Sequence, residues 1–347
     1  MSKAEVHNMR LLAHDNILGF GNMGEGISLQ LTKDGRRILW LAHECAPKTF
    51  SGVDVTDPRK PKVIVQTDMA HNTVRSNSLD VVGDIMAVAY QVQVKGEKPA
   101  GVELFDISKP EEPKSIGFYD ASSPWSRGVH QVWYVEEGWL TCAGPTPDFE
   151  PKEPGDDQPF LMLDISNPSK PTEECLWWMP GVRVGDPEPA PPRHPQFNQG
   201  WRCHNTNVYP DRPDRAYIGY IDGGAVVVDI SDKSAPKVVT HWNPSPPATG
   251  FIHTVLPLFD RDLLVVAQEC VYDLGEDWPK MVWLVDARAD DNPVPLSTLP
   301  LPPVEEFAPR GGRYGAHNLH ENRPGPSFRS NDILIGTYFN GGVRVHN

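Results

Sequence analysis

The chain has 347 residues, of which 39% are hydrophobic and 22% charged, with 36 Pro and 29 Gly. Its net charge of −14 argues against nucleic acid as a partner, because a phosphate backbone is bound by clustered Lys and Arg. No apolar run reaches the length that spans a bilayer, and the N-terminal MSKAEVHNMRLLAHDN lacks the apolar centre of a secretory leader.

Read in chain order, one phrase recurs: an alternating apolar run, an Asp, a Pro- and Lys-rich turn and a second short run. It appears as GVDVTDPRKPKVIV from Gly52, GVELFDISKPEEPKSIGF from Gly101, FLMLDISNPSKPTEECLWW from Phe160 and AVVVDISDKSAPKVVTHW from Ala225. A looser copy is VWLVDARADDNPVPLSTL from Val282, and GVRVHN from Gly342 begins a sixth. The closing Asp is read at Asp57, Asp106, Asp164, Asp229 and Asp286, with Asn347 in the matching place. A spacing of roughly 50–65 residues suits one four-stranded unit per repeat with loop insertions. Upstream strands fit, such as SNSLDVV and IMAVAYQ before Gly101, or HNTNVY and RAYIGYI before Ala225. The Asp is expected to cap the turn between third and fourth strands through local bonds.

These phrases resemble the LVIVD repeat, a β-propeller repeat. The resemblance implies an all-β fold, a six-bladed β-propeller forming a single domain over residues 1–347, and it is silent on function. A ring must close, because an open edge strand invites aggregation. The sixth blade stops after its third strand, and MRLLAHDNIL reads like the fourth strand KVVTHWNP. Residues from Glu5 to Ile17 are therefore expected to complete the last blade in a 3+1 closure, which would make the chain complete. Insertions from Gly144, Arg183 and Val271 are expected to cover one face of the ring.

Aligned on their first core apolar residues, the innermost strands start GEGISLQ, SNSLDVV, VHQVWYV, CHNTNVY, IHTVLPL and AHNLHEN. The same position is then Glu25, Asn77, His130, His204, His253 and His317. Equivalent positions of a radial fold converge on one axis, and converging neutral imidazoles suit a transition metal. His130, His204, His253 and His317 are read as metal ligands, for Fe or Mn ahead of Cu or Zn. Glu25 and His320 are candidate catalytic groups, although His320 falls three residues beyond His317 and faces away on a regular strand. Asn77, Arg75, Arg127 and Arg202 are candidate substrate-binding residues, the arginines suiting an anionic substrate. Arg313 holds the same place in the last blade. Glu44 and Glu269 end second strands, where an acid could orient an imidazole from behind.

The expected function is that of a metal-dependent enzyme, an oxidoreductase or oxygenase acting on a small organic molecule. By placement of the site it is similar to carotenoid cleavage oxygenases and to methanethiol oxidase of the selenium-binding-protein type. Hydrolase or lyase chemistry through metal-bound water is the alternative, and a non-catalytic binding propeller is the third reading. The histidines argue against the calcium of six-bladed lactonases, since calcium prefers oxygen ligands. Five cysteines without CxxC spacing read as a reduced, cytoplasmic protein, with no membrane partner.

Overall fold

The structure, a computed structural model, describes residues 6–20 and 23–347. Its first sheet is an antiparallel meander of Met23–Leu31, Arg37–His43, Lys48–Asp54 and Lys62–Asp68. The second comprises Leu79–Val82, Ile85–Val92, Gly101–Asp106 and Lys114–Asp120, with Val74–Arg75 pairing the far end of Ile85–Val92. The third holds Gln131–Glu136, Trp139–Ala143, Phe160–Asp164 and Thr172–Trp177. The fourth holds Thr206–Tyr209, Arg212–Gly219, Ala225–Asp229 and Lys237–Trp242, and the fifth Ile252–Leu258, Leu263–Gln268, Val282–Asp286 and Val294–Thr298. A sixth pairs Leu334–Thr337 with Val343–His346 and is extended by the bridges Leu319–Gly336 and Tyr314–Phe339.

The repeats share a register detail. Third and fourth strands are offset by a bulge at Gly52/Val53, Leu104/Phe105, Met162/Leu163, Val227/Val228 and Leu284/Val285. A bulge sharpens the local twist, and here the next residue is always the closing Asp. Its carboxylate accepts the backbone N–H two residues on: Asp54 from Thr56, Asp106 from Ser108, Asp164 from Ser166, Asp229 from Ser231 and Asp286 from Arg288. The expected turn cap is present, but in the first repeat it belongs to Asp54 and not to Asp57. GVDVTD offers two Asp three residues apart, and only the bulge decides between them. Asp57 accepts from Arg59 inside the following turn.

The core lies between sheets. Along Ile85–Val92 the side chains alternate: Met86, Val88 and Tyr90 pack with Trp40 and Phe50 of the first sheet, while Ala87 and Ala89 pack with Val132 and Leu161 of the third. Phe160 and Met162 meet Val208 and Val226 of the fourth, and Val227 meets Val255 and Val265 of the fifth. Leu319, Leu334 and Tyr338 of the sixth join that last cluster.

The segment expected to close the sixth sheet is placed differently. Glu5 lies outside the described residues, and Val6 to Asn16 contain no strand. The buried Ile17 packs instead against Leu41 and Val53 of the first sheet. No described helix is long and apolar enough to cross a membrane.

Candidate metal centre

The six aligned positions start the six sheets. The backbone N–H of His130 bonds Ala143 C=O (2.9 Å), that of His204 bonds Gly219 (2.7 Å) and that of His317 bonds Thr337 (3.0 Å). These are equivalent rungs between first and second strands. His253 sits in a bulge between Ile252 and Thr254. Glu25 lies between Gly24 and Gly26, and the N–H groups of Glu25 and Gly26 both bond the carbonyl of Asn77. A Cβ at Gly24 would stand 2.6 Å from Asn77 O, and one at Gly26 2.2 Å from Leu79 N. Only glycines let the first sheet press this closely on the second, and that approach places Glu25 among the histidines.

His204 Nε2 lies 3.0 Å from His130 Nε2 and 3.8 Å from a Glu25 oxygen. His253 Nε2 and His317 Nε2 lie 3.4 and 3.6 Å from Glu25 oxygens. Glu269 enters the same space, with an oxygen 3.6 Å from each of His204 Nε2 and His317 Nε2. Two donors at about 2.0–2.1 Å from one ion lie about 3.0–3.4 Å apart, close to this spacing. Two groups could hold a metal: Glu25, His204 and His253, or His253, Glu269 and His317. They share His253 Nε2, which can donate to only one ion, so they describe one centre.

The far sides of the rings set the tautomers. His204 Nδ1–H donates to Asn205 Oδ1 (2.8 Å), and Asn205 Nδ2 in turn donates to Glu321 (2.6 Å). Asn207 also donates to Glu321 (2.7 Å). His253 Nδ1–H is directed at Thr254 Oγ1 (2.6 Å). Each anchor leaves the Nε2 lone pair facing the centre, as outer partners of metal-bound histidine do. The Nε2 atoms of His253 and His317 are buried and have no hydrogen-bond partner.

Burial pushes His130 well below its ordinary range, and burial with the charge of His253 pushes His204 down to about 3. Both are neutral near pH 7 and ready to bind a cation. His253 is raised: burial lowers it, but the Glu25 carboxylate facing its Nε2 at 3.4 Å outweighs that. Glu25 is held well below the carboxylate range, because His204, His253 and His317 overcome its desolvation. Metal-free protein should therefore gain most from the Glu25–His253 pair between pH 4.5 and 6.5, the two unperturbed values. Below that window Glu25 takes a proton, and above it His253 loses one. Chemical denaturation of chelator-treated protein should show this maximum, and Glu25→Gln should flatten it; an unchanged profile would refute the pairing.

A cavity of about 1080 Å³ opens over the centre, lined by His130, His204 and His317 together with Arg75, Arg127, Arg202 and Arg313. Arg75 pairs with Glu44, Arg127 grips Asp157 with two bonds of 2.7 Å, and Arg313 bonds Glu269 (2.7 Å). Arg202 bonds the carbonyl of Gln199 and the side chain of Gln158. The insertions from Gly144 and Arg183 thus furnish the mouth. Phe251 and Phe339 also line the cavity, and Phe339 stacks on His317 at 4.3 Å. Both have positive φ, 59° and 49°, a strained backbone in a non-glycine residue of the kind that collects at functional sites.

Asn77 is fully buried beside Glu25, and neither side-chain amide atom has a partner. His320 is not brought to the cluster, for its Nε2 bonds the carbonyl of Phe328. Glu269, read in the sequence only as a group behind the imidazoles, stands at the centre itself. Asn205, Glu321 and Arg323 were missed; Asn205 follows the ring histidine His204 in CHN, which was the available signal, whereas Glu321 lies four residues past His317. Arg323 leaves the sixth sheet and reaches the inner strands of three others, bonding Ser28 Oγ (2.6 Å), the carbonyls of Val81 and Tyr134, and Asp80.

The LVIVD repeat family model matches residues 156–175 and 214–244, the third and fourth of the repeats read above. Those two stretches are LVIVD repeats. No curated protein matches the chain in sequence. In fold the chain is similar to Saccharomyces cerevisiae Sqt1, at 8% identity and TM-score 0.52 over 94% of this chain and 83% of that one. It is similar to the β-propeller domain of Myceliophteria thermophila Cps50 (Swd1), at 10% identity and TM-score 0.52 over 92% and 82%. U3-55K aligns at 11% identity and TM-score 0.50 over 90% and 72%. Such likenesses establish the β-propeller fold alone.

Proposed function

We propose that the protein is a metal-dependent enzyme, an oxidoreductase acting on a small organic molecule at one Fe or Mn ion. The observation that carries this reading is the pair of buried, unpartnered Nε2 atoms of His253 and His317, turned toward Glu25 and Glu269. Buried polar atoms without partners are rare, and here they converge with carboxylates. His204, His253 and Glu25 make a two-histidine, one-carboxylate set, the donor set of non-haem iron oxygenases. His130 stands beside His204 as a further donor. A bound ion would supply a redox centre or a Lewis acid; the chain's own groups orient substrate at the mouth, and burial keeps His130 and His204 neutral. The second carboxylate, Glu269, favours a second reading, in which Zn or Mn serves hydrolase or lyase chemistry through bound water.

We further propose that the six sheets are the blades of one ring, supported by the reach of Arg323 from the sixth sheet to the first three. The buried cysteines outside any disulfide, Cys142, Cys175, Cys203 and Cys270, support a reducing, cytoplasmic setting.

Elemental analysis of untagged protein purified without chelators is the test. About one equivalent of Fe or Mn per chain is expected from a single closed donor set. Zn alone would move the reading to hydrolytic chemistry, and protein that neither carries nor takes up a divalent metal would end it.

A further inference from the structure

We infer that Arg202 and Gln158 bind a carboxylate of the substrate at the mouth of the cavity. Of the four guanidinium groups there, three have their charge met, by Glu44, Asp157 and Glu269. Arg202 alone has no carboxylate within ion-pair distance among the described residues. Its Nε donates to Gln199 O (3.1 Å) and its Nη1 to Gln158 Oε1, which leaves Nη2 without a protein acceptor. Gln158 is fully buried, and its Nε2 is a buried donor with no partner. Two donors therefore stand together in a partly buried place, with a positive charge that no carboxylate touches and that Asp157 and Asp222 meet only at longer range. A charge so placed is costly until an anion meets it.

A carboxylate fits in number and shape. It brings one negative charge and two coplanar oxygens, which match one guanidinium and a pair of N–H donors. Phosphate would bring more charge than is left uncompensated. The chain geometry then sets the distance to the chemistry. Cys203 is buried in the core between the third and fourth sheets, while Arg202 and His204 on either side of it both line the cavity. An acid held at Arg202 extends its next carbons along Phe251 toward the His204 face of the centre. That placement of the reacting end rests on the proposed metal centre, whereas the carboxylate site does not.

The test uses propionate, succinate and inorganic phosphate, with chloride at matched ionic strength, by calorimetry and thermal shift. It is run on protein as purified and after chelator treatment. A carboxylate should bind beyond the chloride control. Arg202→Met should weaken that binding by about 10-fold or more, the scale of a lost charge-assisted bond, and Arg202→Lys should restore part of it. Gln158→Glu places a permanent counter-ion on Arg202 and should abolish binding while keeping the fold; it decides the matter should Arg202→Met fail to fold. Equal affinity in parent and Arg202→Met, no preference over chloride, or phosphate binding tighter than either carboxylate would overturn the inference. Arg202-dependent binding in protein that holds no metal would uphold it while the metal reading fell.

Discussion

His253→Ala, purified in the same way as the parent, is expected to arrive without its ion and with affinity for added metal lowered by more than ~100-fold. His253 belongs to both donor sets, faces Glu25 at 3.4 Å and is fully buried. Removing it deletes one ligand and leaves Glu25 without the imidazole that faces it. Asn205→Ala should act less strongly, by about 10–100-fold, the usual effect of losing a group that orients a ligand. Asn205 only holds Nδ1–H of His204, so its loss frees the ring to turn or change tautomer without removing a donor. His320→Ala is the control and should leave metal content unchanged, since its ring is bonded to Phe328. A purely structural role for His253 predicts lower stability with an undiminished metal content. Elemental analysis and chelator competition on the folded fraction separate the outcomes, and a His253→Ala protein that keeps its ion would sink the proposed centre.

Arg323→Ala should be the most destabilising single change away from the centre, costing about 3–5 kcal/mol, the range for breaking a buried ion pair. Arg323 and Asp80 are largely buried, and the guanidinium also satisfies Ser28 and two carbonyls from neighbouring inner strands. Its removal strands Asp80 and several acceptors at once. Burial pushes Asp80 up to about 7 even against the pull of Arg323. The orphaned carboxyl can therefore take a proton cheaply at pH 5 and not at pH 8, so the loss should be larger at pH 8. A double variant, Asp80→Leu with Arg323→Met, should recover much of the stability, because an apolar pair of similar size needs no desolvation of charge. Urea midpoints at the two pH values check this; an Arg323→Ala protein as stable as its parent would show that the axis is held by other contacts.

The repeats were legible because strand alternation and turn chemistry are local. Asp106, Asp164, Asp229 and Asp286 cap their turns where the phrase placed them. The first repeat misled by three residues because GVDVTD carries two acids, and choosing between them takes the pairing register. The histidine ring was legible for a different reason: a repeat converts spacing along the chain into position around an axis. Glu269 was only half legible, since it follows a second strand and the sequence does not say how far that strand extends toward the axis.

By itself the sequence determined the repeat, the antiparallel sheets it builds and the shared position of Glu25, Asn77, His130, His204, His253 and His317. Periodicity and turn residues act over a few positions, so they survive without neighbours. Only the tertiary structure decided which charges meet. It put Glu269 among the imidazoles, tied Glu321 to His204 through Asn205, brought Arg323 to Asp80 and left Arg202 with no carboxylate in contact. Those pairings join residues dozens to hundreds of positions apart, and they depend on angstrom-scale separations between sheets. Hydrogen bonds and ion pairs change strength steeply over such distances, and a linear pattern does not contain them.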